Sequence, residues 1–152
     1  MNRIGGKLNM KRTLTVTTWA ALLLAQASFA ATTDSWTANN RAPNVYGAEI
    51  DNSNFYTTPS SVPRGALITS VSWDVGLYMN GATAQFFKIC YATRYGTAYD
   101  LCEDISSRRT GTSISVKGLD AQGKFKITGF LYGGTYPVYP SHRNAITVGY
   151  AH

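Results

Sequence analysis

The sequence predicts an all-β fold, an antiparallel β-sandwich of about seven strands with a disulfide-linked hairpin, and three observations carry that expectation. From Leu67 to Leu77 the chain alternates strictly, with Leu67, Thr69, Val71, Trp73, Val75 and Leu77 on one face and Ser70, Ser72, Asp74 and Gly76 on the other, the period of a half-buried strand. Apolar runs recur at roughly ten-residue spacing, separated by Gly-, Pro- and Asn-containing breaks, as in sandwiches and small barrels. No stretch beyond about ten residues shows the 3.6-residue period of an amphipathic helix.

The first residues read as an address rather than as part of the fold. Arg3, Lys7, Lys11 and Arg12 precede an apolar run from Leu14 to Ala25, which closes on Ser28-Phe29-Ala30. This is the pattern of a secretory signal peptide over residues 1–30, with cleavage expected near Ala30, and Met10 offers a second, more compact start. The run is too short to span a bilayer, so no membrane span is expected in the mature chain. The expected destination is the periplasm or the exterior. Of fourteen basic and eight acidic residues, four basic ones leave with the signal, so the mature balance is about +2. The high isoelectric point is thus largely a signal-peptide effect, and no nucleic-acid partner is expected. Residues 31–152 suit one domain.

Residues 31–65 read as an irregular N-terminal segment, rich in Asn, Thr, Ser and Pro, with Val45–Ile50 as an edge strand and SNFYTTPSSVPRG as a loop. Residues 66–152 form the body of the sandwich. After the Leu67–Leu77 strand, Asn80-Gly81 signals a hairpin turn, and Phe86 to Tyr91 begins the next strand. Ile114 and Val116 are expected to share a strand face, as are Phe125 and Ile127 beyond a turn at Asp120 to Gly123. Gly133-Gly134 breaks the chain again, and Ile146, Val148 and Tyr150 form one side of the last strand.

The two cysteines, Cys90 and Cys102, lie symmetrically about Gly96. A hairpin pairing Arg94 with Ala98 places them opposite each other, where a cross-strand disulfide is sterically natural. The alternative is a pair of free or transiently paired thiols. A zinc site needs about two more ligands, and neither His142 nor His152 stands in ligand spacing, so no metal and no cofactor is expected. Ser141 and His142 adjoin, but neighbours on an extended segment point apart. A Ser-His system with Asp100 or Asp104 is a minor reading, and Glu103 and Asp104 read as a solvated strand end. The expectation is that the chain is not an enzyme.

Ten tyrosines are more suggestive, with several close together in YATRYGTAY and YGGTYPVYP. Tyrosines on a rigid β scaffold make anchors for a protein or a sugar ring, or they fill strand positions that favour aromatics. In the loop from Tyr132 to Arg143, Tyr136 and Tyr139 are assigned as partner-binding anchors, with Arg143 supplying directional hydrogen bonds. The alternative is that Pro137 and Pro140 only guide the chain across the end of the sandwich.

ALITSVSWDV, FFKICYATRYGTAYDLC and KFKITGFLYGGTYPVYPSHRNAITVGY together resemble the flagellar protein FlhE family, over roughly residues 66–150. A Trp-bearing strand precedes a Cys hairpin. The chain then closes through Phe130, Gly133, Gly134, Pro140, Ser141, Asn144, Ile146, Val148 and Tyr150. The N-terminal third departs from that pattern, and the hairpin loop is enlarged around Tyr95. The resemblance implies a small periplasmic, non-enzymatic accessory of flagellar type III export. Its partner would be a protein component of the export or assembly apparatus, and its roles assembly, swarming or control of proton leakage. The second functional reading is a secreted glycan-binding module that uses exposed tyrosines.

Overall fold

The computed structural model describes residues 31–79 and 82–152; the expected signal segment and the Asn80-Gly81 turn lie outside the described residues. The described residues form eight strands: β1 (Thr33–Asn40), β2 (Asn52–Thr57), β3 (Leu67–Asp74), β4 (Ala84–Ala92), β5 (Leu101–Asp104), β6 (Thr110–Ser113), β7 (Lys124–Tyr132) and β8 (Asn144–Ala151). They form two four-stranded sheets, ordered β1-β8-β3-β6 and β2-β7-β4-β5, with antiparallel pairing throughout. No helix occurs among the described residues.

Period-two alternation places the core between the sheets. Trp36, Val71, Trp73, Ile146 and Val148 point in from the first sheet; Tyr56, Phe87, Ile89, Phe125 and Ile127 point in from the second. Rings meet in the core: Trp36 of the first sheet lies 6.1 Å from Phe125 across the gap, and Tyr91, paired with Phe125 in the second sheet, lies 5.4 Å from the same ring. The indole of Trp73 is buried and donates to the Arg108 carbonyl at 2.9 Å, so its one polar atom is satisfied. Gly111 stands opposite Trp73 because a Cβ there would lie 2.6 Å from the indole.

Cys90 and Cys102 are directly opposite in the β4–β5 ladder and are joined, with Cα atoms 4.0 Å apart. The ladder ends at the Tyr91–Leu101 pair, however. Arg94 and Ala98 do not pair. Instead Gly96 N–H donates to the Thr93 carbonyl, and the rest of the connection is loop.

Four expectations about strands need correction. Val45–Ile50 is not a strand: Val45 makes a single bridge to Val138. The N-terminal third instead supplies β1 and β2, one to each sheet, which raises the strand count to eight. Those strands escape a propensity reading because Asn, Ser and Thr dominate them, although Trp36 and Tyr56 are core residues. Ile114 and Val116 do not share a strand face. They belong to a turn in which Lys117 donates to Ile114 and Leu119 to Val116, leaving Ile114 exposed and Val116 buried. Finally, a bulge between Ile68 and Ser70 shifts the β3 register against β8. One extra residue reverses the inward and outward sets, so Ile68 is buried and Leu67 is exposed, while Val71 and Trp73 face inward as expected.

Candidate functional site

The segment from Gly133 to Arg143 crosses one end of the sandwich. It leaves β7 through two glycines at φ 62° and 82°, a conformation that costs glycine little. Val138 then exchanges both backbone hydrogen bonds with Val45, and Ser141 N–H donates to the Leu77 carbonyl. The loop is therefore anchored to the connections on either side of it.

This anchoring separates the three residues assigned from the sequence. Tyr136, which precedes a cis proline peptide, packs against the core with its hydroxyl enclosed and without a hydrogen-bond partner. It supports the loop from beneath rather than presenting an anchor. Tyr139 and Arg143 are exposed and line one hollow of about 320 Å³ together with Arg41, Asn44, Pro140 and His142. No carboxylate lines it. Two guanidinium groups beside a phenol ring and a proline suit a partner that brings a carboxylate and an apolar side chain.

A buried polar chain holds this hollow in place. Gly76 N–H donates to Asn144 Oδ1 at 2.9 Å, Asn144 Nδ2 donates to Asn54 Oδ1 at 2.8 Å, and Asn54 Nδ2 donates to the Arg41 carbonyl at 2.9 Å. Both asparagines are buried, one on β8 and one on β2, so the chain joins the two sheets and fixes the backbone beneath Arg41. Tyr78 adds a further tie, donating its hydroxyl to Pro43 at 2.8 Å; burial pushes that phenol up to about 12.

Ser141 and His142 do not point apart, because the chain bends there. Ser141 Oγ lies 3.0 Å from His142 Nδ1, and His142 Nε2 lies 2.9 Å from Asp74 Oδ1. The carboxylate is Asp74, not Asp100 or Asp104. All three side chains are exposed, and the Ser141 backbone N–H is held by Leu77, so it does not face an oxyanion beside the hydroxyl. What the relay visibly does is tie the entrance of β8 to the end of β3. Gly76 lies beneath it, where a Cβ would come 2.4 Å from the His142 carbonyl oxygen.

Glu103 and Asp104 do not act on one point. Glu103 accepts from Ser113 and Ser115 across the sheet gap, whereas Asp104 accepts from the amide and hydroxyl of Ser106. Those bonds, with Lys88 opposite, hold the Asp104 carboxyl below the usual range. Among the described residues no group of three or more His, Cys, Asp or Glu side chains is arranged to hold a metal ion.

Sequence reasoning missed Arg41, Asn44, Asn54 and Asp74. Asn144 carried a signal, since it shares the inward parity of Ile146 and Val148, and a polar residue at such a position must find a buried partner.

No family model matches the chain, and no curated protein sequence matches it. Solved structures do match. One is the crystal structure of FlhE, with a TM-score of 0.63 and 15% identity, covering 79% of this chain and 98% of that one. The chain has an FlhE-like fold. The expected sandwich and the disulfide-linked Cys90–Cys102 hairpin are both present in this chain, and the likeness to FlhE at 15% identity speaks to fold alone.

Proposed function

We propose that this chain is a non-enzymatic, extracytoplasmic binding protein that serves a flagellar export or assembly apparatus through protein contacts. The observation that carries the reading is the FlhE-like fold, which accounts for 98% of the FlhE chain. Two features support it. The Cys90–Cys102 disulfide suits an oxidising compartment, in keeping with the signal-like segment of residues 1–30. The hollow at Tyr139 and Arg143 offers an aromatic anchor beside guanidinium donors, the residue types that dominate binding energy at protein interfaces.

The test is deletion of the gene in its own host, with motility, swarming and cytoplasmic pH as readouts. Loss of swarming or acidification of the cytoplasm, restored by the wild-type chain and not by Tyr139→Ala with Arg143→Ala at unchanged melting temperature, supports the proposal. Wild-type behaviour of the deletion strain in all three measurements removes it, and a glycan array would then be the measurement of choice.

A further inference from the structure

Among the described residues the outward face of the β2-β7-β4-β5 sheet differs from that of the other sheet in carrying aromatic and lysine side chains together. The ladder stacks its outward residues in rows: Phe86 beside Phe130, then Lys88 beside Thr128, then Phe55 and Cys90 flanking Lys126, then Ala92 beside Lys124. Phe86 and Phe55 are 47% and 58% exposed, and Tyr132, one row beyond Phe86, is 42% exposed. The face therefore has a polarity along the strands. At one end Phe86, Phe130 and Tyr132, together with the opposed Lys88 and Asp104, line a hollow of about 570 Å³ whose walls are mainly aromatic. At the other, Lys124 opens into a groove of about 580 Å³ whose charged lining is Arg64, Arg94 and Lys124, with no acid.

No described carboxylate pairs with those cations, whose hydrogen-bond partners are neutral: Lys124 donates to the Gly96 carbonyl at 2.7 Å and Arg94 to Gln122 Oε1. Among the described residues the only ion pair within 4.0 Å is His142–Asp74, and of the two acids on these four strands Glu103 is turned to Ser113 and Ser115. Asp104 alone faces the lysines, opposite Lys88. Cys90 and Ala92 are themselves buried, so the length of the face is set by β7, where Lys124 to Tyr132 spans roughly 26 Å at about 3.3 Å per residue.

We propose that this face docks an extended, acidic segment of a partner protein, with apolar side chains seated at Phe86, Phe130 and Tyr132 and carboxylates directed to Lys88, Lys126 and the Lys124–Arg94 groove. Charge complementarity selects an acidic partner. The arrangement of the rings selects a peptide over a sugar chain or a nucleic acid. Phe86 and Tyr132 pair edge to face at 5.6 Å, Phe55 and Tyr99 pair likewise at 5.9 Å, and the Lys126 ammonium sits over Tyr99 at 5.2 Å. Rings paired in this way leave clefts for aliphatic and carboxylate side chains. They do not lie singly and flat as the platforms on which successive bases stack. This surface lies outside the Tyr139–Arg143 hollow, and its test needs no flagellum, so it stands or falls separately from the flagellar reading.

The experiment titrates the soluble full chain into a fluorescein-labelled peptide carrying two leucines at one end and alternating glutamates and threonines at the other. Saturable binding that weakens as salt is raised, and that falls roughly tenfold in Lys88→Glu with Lys126→Glu while Ser35→Glu on the other sheet leaves it unchanged, supports the proposal. Amide shift changes confined to β4, β7 and the loop that carries Arg94, mapped by NMR on the wild-type protein, give a second supporting readout that does not depend on the double variant folding. Absence of saturable binding, equal affinity for the same peptide with lysine in place of glutamate, or tighter binding of polygalacturonate or oligodeoxythymidylate overturns it.

Discussion

The two sheets present nearly equivalent faces to the core and opposite characters to the outside. Inward, each contributes a continuous set of aromatic and branched aliphatic residues that meet ring against ring. Outward, the β1-β8-β3-β6 sheet shows small and hydroxyl side chains, with Thr37 bonded to Thr147 and Ser72 to Thr112 at 2.8 Å each. The β2-β7-β4-β5 sheet shows phenylalanines, tyrosines and lysines. Packing dictates the inner faces, because a sandwich needs both. Nothing about folding requires the outer faces to differ, and exposed aromatic surface carries a risk of aggregation. The difference therefore points to use rather than to stability.

The likeness of the inner faces is the part of this comparison with the largest expected effect. Trp73→Ala in the first sheet and Phe125→Ala in the second should each destabilise by about 3–5 kcal/mol, as for truncation of a large buried aromatic. Urea denaturation of both variants checks it; a cost below about 1 kcal/mol for either would mean that one sheet does not pack as described. Next in size is the staple, which only the second sheet has. Replacing Cys90 and Cys102 by serine should lower stability by about 2–4 kcal/mol in the chain-entropy picture, and native oxidised protein should show no thiol reactive to Ellman's reagent. Two titratable thiols would sink this prediction.

The same contrast explains what was legible in the sequence. Strands of the first sheet alternate cleanly because their outer face is polar: Val71 and Trp73 in β3, and Ile146, Val148 and Tyr150 in β8, were readable as inward residues and are buried. The disulfide was readable because two cysteines equidistant from a glycine leave few geometries. In the second sheet FFKICY and KFKITGFLY mix phenylalanines with lysines and a threonine on their outward positions, so the sequence marks the strands without marking what the outer surface is for. The bulge at Ile68–Ser70 was invisible, since alternation alone carries no sign of one extra residue. β1 and β2 were missed because polar strand residues are recognised only through their partners, β8 and β7, more than sixty residues away in the chain. For the same reason the Tyr139–Arg143 hollow could not include Arg41, which the Asn54–Asn144 contact brings to it.

That contact joins the sheets through buried polar side chains, and Asn144→Ala should break it at a cost of about 2–3 kcal/mol. The substitution leaves Gly76 N–H and Asn54 Oδ1 unpaired in a buried place, and each orphaned group costs roughly 1–3 kcal/mol before any relaxation or entry of water. Asn144→Asp keeps the acceptor but not the donor and should fall between the two. Thermal denaturation at neutral pH, compared across the three proteins, gives the order directly.

Alkali probes the same boundary more gently. Tyr78 beside Pro43 and Tyr56 in the second sheet both have phenols raised by burial, Tyr78 to about 12 from an ordinary 10. In the window from pH 10 upward the unfolded chain releases these protons while the folded chain keeps them, so the unfolded state binds fewer protons and stability falls as pH rises. Below pH 10 the contribution is fully present. Tyr56 has an enclosed hydroxyl with no partner, so Tyr56→Phe should be neutral or stabilising by up to about 1 kcal/mol and should flatten the alkaline decline. A loss of stability of more than about 1 kcal/mol at neutral pH in that variant would show that the hydroxyl does find a partner.

The smallest effect is also the sharpest test of why the outer faces differ. Phe86 is half exposed and touches Tyr132 at its edge, so Phe86→Ser removes little buried area and should cost less than about 1 kcal/mol. Thr37→Ala on the other sheet breaks an exposed hydroxyl contact and should change stability by no more than about 0.5 kcal/mol. The two variants should part company in solution behaviour: Phe86→Ser should lower self-association at high concentration, measured by sedimentation velocity, whereas Thr37→Ala should not. If instead Phe86→Ser unfolds the protein as severely as Trp73→Ala, the aromatic face is a second core rather than a surface, and the contrast between the sheets has a structural cause. If Phe86→Ser is stable and less prone to associate, the native phenylalanine is kept at a solubility cost that folding does not explain, which is the behaviour expected of a residue retained for a partner.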